Sequence, residues 1–348
     1  MRDKPNLQED RIIACLYQRY GITVNALQFL PLGNDSAAWV YRADAADGRS
    51  YFVKLRLGGI SEPSLTIPRY LKDAGIEQVV APLASLTQRL YEQVEPFALI
   101  VYPFIDGRDG MEIGLTDSQW TAFGALLKVI HSTTLPAGLQ RQMWRESFIP
   151  NPKWVNTIND LQGEIPLRQY DNPQQKEAAA FWHDKQGEIS EIVKRAHTLG
   201  VQAKRLNAPQ VLCHADIHTA NLLISADGAL HVVDWDQPII APVERDLMFV
   251  VGGMIGDWVI SGSQAVAFFE GYGQSPVDLL TLTYYRYEWV VQEIGDYGAR
   301  IFLLEDVGQA ARTDSLEGFM RLFAPNDVVN VAYKLDHLLR IFRTRKFR

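Results

Sequence analysis

The sequence predicts an α+β fold in two parts: a small, mainly antiparallel sheet over residues 1–104, then a mainly helical part over residues 105–348. Three observations predict it. Short strand-like runs crowd the first part, with one helix inserted among them. The stretch Asp106-Gly107-Arg108-Asp109-Gly110 then breaks that pattern and reads as a linker. Beyond it, apolar residues recur at helical spacing almost to the C-terminus, interrupted by one short hairpin.

Each element has its own signal. Ile12, Ile13, Leu16, Tyr17 and Tyr20 share a helical period, and Gly21 is a plausible stop. Strand character follows at residues 27–30, 37–42 and 51–55. A helix beginning near Pro63 suits proline in its first turn and ends at Ala74-Gly75, with Pro68 expected to kink or shorten it. Residues 79–83, 89–94 and 97–102 complete the strands. Thr116 caps a helix whose Trp120, Phe123, Leu127 and Ile130 lie on one face. The segment 151–204 reads as polar and helical, with a long helix around 177–197. A strand over 210–213 leads into a hairpin of residues 222–225 and 230–233 about the turn Asp227-Gly228.

The chain has 348 residues, enough for two domains with a sizeable core, and 47% apolar with 22% charged residues is ordinary globular composition. A net charge of −7 argues against nucleic acid as the main partner, because neutralising phosphates needs clustered Lys and Arg. Cys15 and Cys213 are far apart, and Cys213 ends an apolar strand, which favours a reducing compartment. Met1-Arg2-Asp3-Lys4-Pro5 has no apolar signal region. The longest apolar run, 247–256, is too short to span a bilayer. The expectation is a cytoplasmic protein without a membrane partner.

Chemistry concentrates in His214-Ala215-Asp216-Ile217-His218-Thr219-Ala220-Asn221 and, across the hairpin, Asp234-Trp235-Asp236. Asp216 would accept or orient a hydroxyl proton. Asn221 and Asp234 would offer oxygens to magnesium, a hard cation, against the phosphates of a nucleotide. The hairpin fixes their separation on rigid backbone. Any one of these residues alone reads as a turn or cap residue; the whole set with its spacing does not. His214, Asp216, His218, His231 and Asp234 could instead be hydrolase metal ligands. An exposed strand face explains His231, and the other histidines show no ligand spacing. His214 is expected to brace the loop.

His-x-Asp-x-His-x-x-Asn followed by Asp-x-Asp resembles the aminoglycoside phosphotransferase family, relatives of the protein kinases that act on small hydroxylated molecules. The resemblance implies a two-lobed, protein-kinase-like fold with ATP and magnesium. No Arg follows His214, Trp235-Asp236 stands where protein kinases have Phe-Gly, and no activation loop is recognisable. A protein substrate is therefore not expected. Lys54, in the strand Tyr51-Phe52-Val53-Lys54-Leu55, looks like the lysine that contacts the α- and β-phosphates. Glu62, at the start of the next helix, is the expected ion-pair partner. Gly33 and Asn34 lie in a loop of small residues able to approach phosphates. Tyr102 and Phe104 resemble the hinge that meets adenine through backbone groups.

On the acceptor side, Tyr285, Trp289 and Glu293 fall near one helical face, where carboxylates beside an aromatic wall would suit an aminated ring. The alternative is an amphipathic helix with its rings in the core. Asp236 and Trp258 are further candidates, and Glu270 and Tyr272 weaker ones. Arg245-Asp246 is expected to brace the loop. The stretches 244–249, 269–273 and 284–288 resemble the spectinomycin-phosphorylating branch of the family. That resemblance implies a cationic, hydroxylated small-molecule acceptor. The rivals are a kinase of choline, homoserine or a sugar-like metabolite, and a nucleotide-binding pseudokinase serving as an interaction module.

Overall fold

The computed structural model describes residues 4–33, 37–251, 254–255, 258–259, 261–274, 276–304 and 309–345. It opens with α1 (Glu9–Tyr20) and the strands β1 (Val24–Leu30), β2 (Ala38–Ala45) and β3 (Ser50–Leu57). Helix α2 (Glu62–Asp73) leads to β4 (Glu92–Val94), β5 (Phe97–Pro103) and β6 (Gly107–Asp109). Then come α3 (Gly110–Ile113), α4 (Asp117–Ser132), α5 (Ala137–Gln142), β7 (Trp144–Arg145), α6 (Pro152–Glu164), α7 (Pro173–Lys204) and β8 (Val211–Cys213). Next follow β9 (Leu222–Ser225), β10 (Leu230–Val232), β11 (Ile239–Ala241) and α8 (Glu244–Leu247). The chain finishes with β12 (Met254–Ile255), β13 (Trp258–Val259), α9 (Gly262–Tyr272), α10 (Leu279–Phe302), α11 (Gln309–Arg321) and α12 (Val328–Arg345).

These elements gather into two compact units, Met1–Trp144 with His214–Ile239, and Arg145–Cys213 with Ile240–Arg348. The motif segment therefore packs with the sheet-bearing half of the chain, although helices flank it in sequence.

In the first unit an antiparallel sheet runs in the order β1-β2-β3-β5-β4. Alternation on β3 decides its faces. Tyr51, Val53 and Leu55 enter a core with Ile12, Leu16, Tyr41, Leu99 and Val101, which leaves Phe52, Lys54 and Arg56 on the other face. Helix α1 ends as expected, with Gly21 in the left-handed region at φ 69° and its N–H on the Leu16 and Tyr17 carbonyls. Helix α2 carries Pro63 in its first turn but runs on through Pro68 to Asp73, so Pro68 does not shorten it. The segment 79–83 is not a strand. It contributes a single parallel bridge, Val79 to Val232, while Val80 N–H donates to the Val232 carbonyl at 3.0 Å and Val232 N–H to that of Gln78 at 2.8 Å. Helix α4 starts in the expected way, with Thr116 and Gln119 forming a reciprocal capping box.

The expected linker is structured. Residues 107–109 form β6, the third strand beside the motif hairpin in the order β10-β9-β6. A Cβ on Gly107 would lie 2.6 Å from the Ile224 carbonyl oxygen, and one on Gly110 would lie 3.1 Å from that of Thr219. These glycines allow close approach to the motif backbone rather than a hinge.

In the second unit α10 is the central helix, packed by α6, α7, α11 and α12. Asp278 caps it, accepting the Thr281 N–H at 2.8 Å. The polar segment 151–204 resolves into α6 and a 32-residue α7, longer than its sequence signal. Among the described residues no helix is long and apolar enough to cross a membrane.

Candidate active site

The motif loop is set by short-range hydrogen bonds before any long-range contact. His214 is buried, with Nε2 2.9 Å from the Val233 carbonyl oxygen, while Nδ1 receives the Asp216 N–H at 3.3 Å. Those partners assign the tautomer: Nε2 carries the proton and Nδ1 accepts. His214 thus ties the start of the loop to the residue before Asp234, the bracing role its position suggests. Its ring also meets that of Trp235, centroids 4.6 Å apart. Ala215 at φ 74° and Asp234 at φ 63° both occupy the left-handed region, uncommon for side-chain-bearing residues and a form of strain that clusters at functional sites.

Asp216, Asn221 and Asp234 stand on the ends of this frame. The Asn221 amide nitrogen donates to the Asp216 carbonyl at 2.7 Å and lies 3.4 Å from one Asp216 carboxylate oxygen. With its nitrogen so committed, Asn221 keeps its amide oxygen as the acceptor end. His218 Nε2 stands 3.5 Å from the other Asp216 oxygen. The hairpin holds the spacing: Val233 N–H donates to the Asn221 carbonyl at 3.0 Å, and Leu222, Leu223 and Ile224 pair with Val232, His231 and Leu230. His231 faces away from the loop toward Ser225, its Nε2 3.3 Å from the hydroxyl, so it is not part of a histidine metal cluster here.

Lys54 lies opposite Val40 and Ile100 on β3. Its ammonium reaches both Asp236 oxygens at 2.9 and 3.1 Å and an Asp234 oxygen at 3.6 Å. Burial disfavours the charged lysine, yet Asp236 and then Asp234 outweigh it and hold its pKa above the ordinary range. Burial would likewise raise Asp236, but Lys54 and Arg56 prevail and hold it below the usual carboxylate range. Asp234 moves the other way. About half its surface is open, yet the surrounding protein displaces enough water to raise its pKa, and Asp236 adds to the rise. An under-compensated carboxylate and a free amide oxygen are hard donors, a set that fits magnesium.

Two expectations change here. Glu62 is exposed on the first turn of α2 and does not pair with Lys54, because Ser61, Ser64 and Leu65 line the cavity beside the lysine instead. Asp236, expected on the acceptor side, is the residue that holds Lys54. Phe104 N–H donates to the Ser50 carbonyl at 3.1 Å, and Tyr102 pairs with Phe52 two residues on, so both turn their backbone groups toward β3. Alternation along β5 leaves the Pro103 carbonyl directed away from β3. Gly33 is exposed at φ 85° in the β1–β2 loop, and Asn34 lies outside the described residues.

The acceptor-side candidates belong to the second unit. Tyr285 is fully buried, with its ring against Phe148 and Tyr284, and Trp289 is nearly so, packed on Phe249. That is the amphipathic-helix alternative for α10. Glu293 is partly exposed and accepts the Trp289 indole N–H at 3.0 Å. Tyr272 stacks on Phe268 in the core, Glu270 is exposed, and the Trp258 side chain lies outside the described residues. Asp246 is buried inside α8. Arg245 pairs with Glu288 at 2.9 Å, and Glu146, which no motif flagged, joins them electrostatically. Burial pushes the Glu146 carboxyl above the usual range, against the pull of the Phe148 N–H and Arg245.

The first-unit site offers carboxylates open to solvent, oxygen donors for a hard cation and a strand lysine, which is how a kinase-like phosphotransferase works: by positioning and charge neutralisation. Comparison with known proteins agrees. A family described as the phosphotransferase enzyme family matches residues 28–287. A crystal structure of spectinomycin phosphotransferase APH(9)-Ia in complex with ADP and spectinomycin is 34% identical, with a TM-score of 0.84 over 95% of this chain and 99% of that one. The AMP-bound complex of that enzyme matches at 34% identity and TM-score 0.79, over 93% of this chain and 98% of that one. Protein StrN of Streptomyces griseus is 25% identical over 281 residues, 79% of each chain. The chain belongs to the phosphotransferase enzyme family, and its α+β fold is the kinase-like fold of that family.

Proposed function

We propose that this phosphotransferase moves the γ-phosphoryl group of ATP, with magnesium, to a hydroxyl of a cationic aminocyclitol, spectinomycin or a close analogue. The observation that carries the reaction is the grouping of Asp216, Asn221 and Asp234 on one hydrogen-bonded frame. The choice of acceptor leans on the near full-length likeness to an enzyme crystallised with spectinomycin. In this reading residues 1–104 serve the nucleotide and residues 105–348 the catalytic loop and acceptor.

Asp216 orients the acceptor hydroxyl and takes its proton as the oxygen becomes a nucleophile. Its carboxylate is open enough to be reached, and Asn221 fixes the backbone behind it. The Asn221 amide oxygen and the Asp234 carboxylate hold magnesium, which when bound supplies positive charge against the phosphates. Lys54 serves the α- and β-phosphates, and Gly33 with Asn34 covers them. The Pro103 carbonyl and Ile105 N–H, beside Tyr102 and Phe104, offer the acceptor and donor that an adenine edge needs. Glu293 and Trp258 stay as acceptor-side proposals, with Tyr285 and Trp289 acting through packing. Phosphorylation would place negative charge and bulk on a cationic drug and so confer resistance in the cytoplasm.

A coupled ADP-release assay with ATP and magnesium tests this across spectinomycin, several aminoglycosides and choline. Spectinomycin-dependent release is expected. Release with choline alone would move the protein to a metabolite kinase, and nucleotide binding without transfer to any acceptor would leave a pseudokinase.

A further inference from the structure

Lys54 and Arg56 project from the same face of β3, two residues apart, into one cavity with Ser61, Ser64, Tyr102 and Asp236. Arg56 Nη1 stands 3.3 Å from the Asp236 oxygen that Lys54 approaches at 3.1 Å. The α2 face toward this cavity brings serines and Leu65, not a carboxylate. Lys54 and Arg56 are thus connected with Asp234 and Asp236 through short ion pairs.

We infer that Arg56 is a positioning residue: it is the standing counter-ion of Asp236 and lets Lys54 exchange that carboxylate for a phosphate. A lysine bonded to both oxygens of a carboxylate has one N–H left, so fuller service to a phosphate means giving up at least one of those bonds. An abandoned, partly buried carboxylate beside an arriving polyphosphate repels it. Arg56 keeps Asp236 compensated at that moment and also holds it against β3. If Arg56 were absent, Asp236 would compete with the ligand for Lys54. The consequence for nucleotide rests on the proposed function, whereas the ion pair itself does not.

Full-length Arg56→Met, Asp236→Asn, the double variant and Arg56→Lys test the inference in two arms. Without ligand, the thermal unfolding midpoints should be non-additive: Arg56→Met should lower the midpoint more in the wild-type background than beside Asp236→Asn. Additive losses overturn the pairing. With ADP and magnesium titrated calorimetrically, Arg56→Met should weaken binding roughly tenfold. Adding Asp236→Asn should restore most of that loss, and Arg56→Lys should stay near wild type. In turnover the nucleotide KM should rise far more than kcat falls. A double variant weaker than either single one would show Arg56 contacting phosphate directly and overturn its action through Asp236. If the wild type binds no nucleotide, the proposed function fails, and the ligand-free cycle still decides the pair.

Discussion

The acidic groups of the catalytic loop and those around α10 are opposites in exposure. Asp216, Asp234 and Asp236 keep 53%, 48% and 36% of their side-chain surface open. Arg245 and Glu288 keep 14% and 12%, and Arg286 is fully buried. The open set stays within reach of a ligand, although burial still raises Asp234. The Arg245–Glu288 pair has already been desolvated and is satisfied by its own ion pair, so it acts as structure. Arg286 is only partly satisfied: its Nε and Nη1 find no hydrogen-bond partner among the described residues. It donates to the Met248 carbonyl and, at 3.4 Å, to that of Val251, and burial lowers its pKa to about 9. Charged residues at helical spacing therefore mark a binding wall only where water still reaches them.

The contrast predicts where substitutions act on rate and where on stability. The largest effect belongs to the open set. Asp216→Asn should slow turnover by on the order of 10²–10⁴ while ADP affinity is kept. Near-normal kcat in that variant would remove Asp216 as the base. In the closed set, Glu288→Gln should cost about 3 kcal/mol in urea unfolding, the low end for a broken buried pair because Glu146 still faces Arg245. A loss below roughly 0.5 kcal/mol would mean the pair behaves like a surface one.

Gly107→Ala comes next, since its Cβ would meet the Ile224 carbonyl oxygen at 2.6 Å. About 1–3 kcal/mol of destabilisation is expected, with loss of activity as the hairpin shifts. An unchanged midpoint would show β6 able to move aside. Glu146 gives a subtler pH effect. A carboxyl raised by burial contributes stability that is full below its unfolded value near 4.5 and is lost as pH rises through the folded value. The unfolding midpoint of wild type should therefore fall relative to Glu146→Gln as pH climbs above that value; parallel curves would deny the shift. Smallest of all, Glu62→Ala should change stability by less than about 0.5 kcal/mol and leave nucleotide KM alone. A large rise in KM would restore Glu62 as the partner of Lys54.

The sequence by itself determined the hydrogen-bonded frame on which the proposed chemistry stands. His214, Asp216, Asn221 and Asp234 sit at fixed offsets around a tight hairpin, and strand pairing and loop hydrogen bonds across so few residues leave little freedom. The same locality made α1, the α4 cap and the sheet strands legible. It could not tell which face of α10 would be buried, because Tyr285 and Trp289 suit a core as well as a pocket. It read Gly107 and Gly110 as a linker, since a close approach to Ile224 and Thr219 leaves no local mark. Only the tertiary structure decided the partner of Lys54. Asp236 lies 182 residues away, and the nearer Glu62 loses because α2 turns its serines, not that carboxylate, toward the cavity. Local spacing fixes backbone geometry, whereas charge pairing goes to whichever groups the fold brings within reach.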